Sequence, residues 1–146
     1  MAELIDLTER QCWEMLRGGI VGRVAICTRS GPRILPVNYA VHDDAVVFRT
    51  SPSGEIGSHA VGRTLAFEVD HIDYERHQGW SVLLLGKAEP VDDAAELDRI
   101  RRVWDPRPWA DGDRVLYLRL RARQVTGRAL GHDWRYDTMM PVRRTV

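Results

Sequence analysis

The chain has almost no lysine. Lys87 is the single one among 21 basic residues, which face 21 acidic residues at a formal net charge of zero. No long-range field draws in a polyanion, and no basic arm or acidic tail stands out, so nucleic acid is not an expected partner. Cysteine is scarce too: Cys12 and Cys27 are the only two. They lack CxxC spacing and read as small apolar packers, Cys12 on a helix and Cys27 in a strand, rather than as a disulfide. The histidines, His42, His59, His71, His77 and His132, have no metal-ligand spacing. No serine carries the glycine flanks of a nucleophile elbow, and no Gly-rich phosphate loop is present. Residues 1–7 contain acids and no apolar run, which argues against a signal peptide or membrane segment and for a cytoplasmic protein. Glu68 and Asp70 lie one strand repeat apart and read as surface acids. With no candidate acid, base, nucleophile or metal, a borrowed cofactor becomes the natural carrier of any reactivity.

What is present is a core-forming sequence. At 146 residues and 44% hydrophobic, the chain suits one domain spanning 1–146, with residues 131–146 an unassigned polar and aromatic tail. Thr8 with Gln11 three residues on forms a capping box, and Gly18–Gly19 closes the helix it starts. "GRVAICTR", "RILPVNYAV" and "AVVFRT" read as three strands in a meander joined by the turns "SGP" and "HDD". "EIGSHAVG" suits a short helix. "TLAFEVDH", with Leu65, Phe67 and Val69 on one face, and "GWSVLLLGKAEPV" follow as strands, joined by the polar "IDYERHQ". Asp92 or Asp93 caps a helix carrying Leu97, Ile100, Val103 and Trp104, and "DPRPWADGD" ends it. "RVLYLRLRARQV" is the sixth strand. Six strands in meander order with few helices predict a mainly β, closed or nearly closed antiparallel barrel, because closure removes exposed edges.

Three places resist a purely structural reading. Pro36 and Asn38 interrupt a good strand, which fits an edge with a bulge, or backbone groups of Val37 and Asn38 freed, with the Asn amide, for a flat heteroaromatic ligand. Arg49, Thr50 and Ser51 end a buried strand in a guanidinium fork and two hydroxyls, which fits a solvated strand end or a phosphomonoester. Trp80, beside Ser81 at the mouth of the longest strand, fits core filling or the edge of an aromatic cofactor. Together they describe a polar rim for something flat at one end and phosphorylated at the other.

"GRVAICTRSGPRILPVNYAVHDDAVVFRTSPSG", "LAFEVDHIDYERHQGWSVLLLGKAEPV" and "VTGR" resemble the pyridoxamine 5'-phosphate oxidase-like flavin-binding split-barrel superfamily, particularly its small actinobacterial-type members, from about Glu9 to Arg128. The resemblance implies a six-stranded antiparallel split β-barrel, a homodimer with FMN at the interface, and hydride transfer through the flavin to a small-molecule redox substrate. It assigns Pro36, Val37, Asn38 and Tyr39 as ring neighbours. Phe48, Arg49, Thr50 and Ser51 fall to the ribityl and phosphate, and Trp80 with Ser81 come from the opposite subunit. One departure is visible: Gly54, Glu55 and Ile56 stand where the family often places a Lys near the phosphate. A carboxylate there opposes a dianion unless Arg49 or an arginine such as Arg63 compensates, and it favours the alternative of a dissociable deazaflavin coenzyme. A non-catalytic flavin-binding module is the third reading. The tail segment Asp133 to Tyr136 does not match the substrate residues of the vitamin B6 oxidases.

Overall fold

A computed structural model of the chain describes residues 3–131. These hold seven strands and three helices: β1 (Leu4–Asp6), α1 (Glu9–Gly18), β2 (Val21–Thr28), β3 (Gly31–His42), β4 (Ala45–Thr50), α2 (Glu55–Ala60), β5 (Thr64–Asp73), β6 (Gln78–Pro90), α3 (Ala94–Trp104) and β7 (Leu116–Leu130). All pairings are antiparallel. The sheet runs β1-β7-β4-β3-β2-β5-β6, and β6 closes back onto β7. Six strands thus form the expected closed barrel, and β1 is appended to β7 through Leu4↔Leu130.

The period of two sorts the strands cleanly. Val24 and Ile26, Val46 and Phe48, Leu65, Phe67 and Val69, Val82 and Leu84, and Leu118 and Leu120 all point into the barrel, where they form one cluster. Helix α1 adds Cys12, Met15 and Leu16 to that cluster, and α2 adds Ile56 and Ala60. The Thr8–Gln11 capping box forms as predicted, and Asp93, not Asp92, caps α3 by accepting from the Glu96 N–H at 2.8 Å.

β4 is apolar on both faces for a reason. Its outward Val47 packs with Val91, Ile100 and Tyr117 in a second cluster under α3. His42, also outward, donates from Nε2 to the Trp104 carbonyl at 2.8 Å, which ties the end of α3 to β3. By contrast, Ser81 and Leu83 on the outer face of β6 are exposed among the described residues.

Some expectations need correction. Residues 4–6 form a strand although they contain no apolar run, because β7 extends to Leu130 and offers an edge. "IDYERHQ" is a tighter connection than expected. β5 continues through Asp73, and only residues 74–77 turn, with Asp73 Oδ1 accepting from the Glu75 and Arg76 N–H groups at 3.0 Å. Cys27 is exposed: on β2 the inward positions belong to Val24 and Ile26, so the thiol faces out. Residues 133–136 lie outside the described residues. No helix among the described residues is long and apolar enough to cross a membrane.

Candidate functional site

β3 changes partner midway. Gly31–Asn38 pair with β2, and Tyr39–His42 pair with β4. The Tyr39 N–H donates to the Ile20 carbonyl at 3.0 Å. Because bonded and non-bonded positions alternate in an antiparallel pair, the backbone groups of Val37 bond back to β2, whereas those of Pro36 and Asn38 face the other edge. Among the described residues that edge has no partner strand at Pro36, so the missing N–H of Pro36 breaks no ladder there. Val37, one of the two backbones expected to be free, is engaged with β2.

Tyr39 and Phe48 are cross-strand partners, so Asn38 and Arg49 occupy the next positions along. Since Tyr39 and Phe48 are inward, Asn38 and Arg49 share the outer face, side by side where β3 and β4 part. The inward residues are core. Tyr39 donates its hydroxyl to the Leu16 carbonyl at 2.6 Å and packs edge-on against Phe67 at 4.9 Å, and Val37, Phe48 and Thr50 are buried. Ser51, just past β4, lies 3.3 Å from Ser53 through the two hydroxyls.

Arg49 is not a free cation. Its Nε–H donates to the Arg114 carbonyl at 3.1 Å, its Nη1 lies 3.4 Å from Asp105 Oδ2, and its guanidinium carbon sits 5.0 Å from the Tyr117 ring centroid. Asp105 uses its other oxygen to accept from the Tyr117 hydroxyl at 3.0 Å. Asn38 reaches the same connection, its Oδ1 accepting from the Trp109 N–H at 2.9 Å. Asn38 Nδ2 is out of solvent and has no hydrogen-bond partner among the described residues. Residues 105–113, which the sequence marks only as a helix breaker, and Arg114, which it assigns to the last strand, are therefore part of this site. Two prolines and a tryptophan in an otherwise polar stretch were the available signal.

Trp80 and Ser81 lie elsewhere. They line a cavity of about 480 Å³ together with Leu4, Asp70, Tyr74, His77 and Arg128, under the β5–β6 turn. A cavity of that size suits a flat organic ligand. In the barrel order β6 stands three strands from β3 in either direction, directly opposite. Trp80 lies in the core cluster with Val82 and Leu84, 3% exposed, while Ser81 is on the outer face, and neither stands beside Asn38 within one chain.

Between the two regions, on the outer face of β2 and β5, Arg23 Nη1 bridges Glu68 at 3.0 Å and Asp70 at 3.5 Å. Burial, and then the Asp70 charge, push the Glu68 carboxyl above its ordinary value.

The family model described as pyridoxamine 5'-phosphate oxidase matches residues 8–129, nearly the whole of the barrel. The chain belongs to this family. Its likeness extends to a solved structure of an FAD-binding protein from Mycobacterium smegmatis, 30% identical, covering 87% of this chain and 98% of that one at a TM-score of 0.73. A candidate pyridoxamine 5'-phosphate oxidase from Corynebacterium glutamicum is 25% identical over 89% of this chain and 100% of its own, at a TM-score of 0.76. An uncharacterised protein of Mycobacterium tuberculosis is 29% identical over 130 residues, 86% of this chain and 84% of that protein. This pyridoxamine 5'-phosphate oxidase-family barrel therefore carries its polar outer pair and its cavity on opposite walls.

Proposed function

We propose that this family member is a homodimeric flavin-binding oxidoreductase that holds FMN between the Asn38–Arg49 edge of one copy and the Trp80–Ser81 cavity of the other. The observation that carries the reading is this opposed placement: two half-sites, each suited to part of a flavin, which only a second copy can bring together. Family membership and the 30% identity to the FAD-binding protein of M. smegmatis support a flavin, since FAD contains the ring and first phosphate of FMN.

The residues present fit such a group. Asn38 Nδ2 is a buried donor that needs an acceptor, Trp80, 3% exposed, contributes to the lining of the cavity, and Arg49 with Ser51 lies where β4 hands over to its loop. A bound flavin would supply hydride transfer at its central ring. The chain's own part is to bind and orient the ring, to shield it from water, and to meet the phosphate with Arg49 and the Thr50–Ser51 backbone. No side chain is assigned as an obligatory proton donor.

Glu55, which opposed a dianion in the sequence, carries Arg33 at 3.3 Å. The carboxylate that spoke for a deazaflavin coenzyme is thus already paired. The test is the visible spectrum of the purified protein, followed by titration with FMN, FAD and a deazaflavin and by anaerobic reduction with nicotinamide nucleotides. Uptake and reduction of FMN are expected. Failure to take up any flavin sinks the reading, and a bound flavin that cannot be reduced turns it into the non-catalytic binding module.

A further inference from the structure

Asn38 and Arg49 converge on one connection. Arg49 holds both of its ends, through Asp105 and the Arg114 carbonyl, and Asn38 holds its middle through the Trp109 N–H. We infer that residues 105–114 form a second wall of the ligand site, with Trp109 stacking on the bound ring and Asn38 Nδ2 donating to a carbonyl or ring nitrogen of that ring. This rests on the flavin reading above and adds residues to it.

Two observations carry the inference independently. The orientation of the Asn38 amide is dictated by its neighbour: the Trp109 N–H needs an acceptor, so Oδ1 faces the loop and the NH₂ is left over. That donor is out of water and unpartnered, an arrangement that native folds rarely keep without a use. The pyrimidine end of a flavin brings carbonyl acceptors of the required kind.

The second observation is Trp109 itself. Its side chain is 74% exposed, among the most exposed of the large apolar residues described. Yet its backbone is firmly held, by the bond to Asn38, by the ties of the connection to Arg49, and by Pro106 and Pro108 just before it. A fixed backbone presenting a free aromatic face is a preorganised stacking platform, because binding then orders little that was not already ordered.

The test is titration of FMN and of riboflavin, read by quenching of flavin fluorescence, on the wild-type chain and on Trp109→Ala, Trp109→Phe and Asn38→Asp. Asn38→Asp keeps the acceptor that Trp109 needs and deletes the donor. Trp109→Ala is expected to weaken FMN and riboflavin alike by about tenfold, a change of about 1.4 kcal/mol. Trp109→Phe is expected to stay within about threefold of wild type, and Asn38→Asp to lose about tenfold, all with unchanged thermal unfolding. Wild-type affinity in both Trp109→Ala and Asn38→Asp overturns the inference while leaving flavin binding intact. A wild-type chain that binds no flavin overturns the earlier reading first, so the two failures are told apart.

Discussion

Glu68 shows how one residue sets a pH dependence. Burial and then Asp70 raise its pKa above the ordinary 4.5, against the pull of Arg23. A carboxyl whose folded pKa is raised contributes stability that is complete below the unfolded value and is lost as pH rises through the folded one. Glu68→Gln should therefore match wild type near pH 4.5 and become the more stable of the two at higher pH. Urea midpoints across that range check this, and a gap that does not change with pH contradicts it. Arg49 has two jobs that can be separated. Its bonds to Asp105 and Arg114 predict that Arg49→Ala costs about 1–3 kcal/mol of stability. A phosphate role predicts in addition a loss of about tenfold in FMN affinity with riboflavin little changed. Equal losses for both ligands would show that Arg49 acts only by holding residues 105–114.

At the scale of the element, local rules were legible wherever local physics decides. Thr8 with Gln11, Asp93 with Glu96, and the alternation of Leu65, Phe67 and Val69 all produced the structures expected of them. Thr8→Ala should cost about 1 kcal/mol in denaturant unfolding, because it removes the hydroxyl that accepts from the Gln11 N–H and donates to Gln11 Oε1. Elements that depend on a distant partner were not legible. β1 exists only because β7 continues past Val125, and Cys27 is exposed only because Val24 and Ile26 take the inward positions. Gly86 belongs to the same class. It sits at the register shift between β6 and β7, where an added Cβ would lie 2.1 Å from the Arg121 carbonyl oxygen. Gly86→Ala should destabilise the barrel by about 1–3 kcal/mol, measured by the urea midpoint, since backbone on both sides must give.

At the scale of the whole molecule, closure places β3 and β6 on opposite walls. If the flavin lies between copies, cofactor affinity must depend on protein concentration, since binding and dimerisation are then linked. Dilution below the dimer dissociation constant should release FMN, followed in parallel by sedimentation and flavin fluorescence. Retention by a monomer would exclude the shared site. The sequence by itself determined the barrel class, the helix caps and the identity of the polar outliers Asn38, Arg49 and Trp80, because periodicity and residue chemistry are local properties. Only the tertiary structure decided that Asn38 and Arg49 are neighbours, that residues 105–114 return to both of them, and that Trp80 stands across the barrel. Those relations are fixed by strand register and closure, which pair residues as far apart in the chain as Leu4 and Leu130 and which no local pattern encodes.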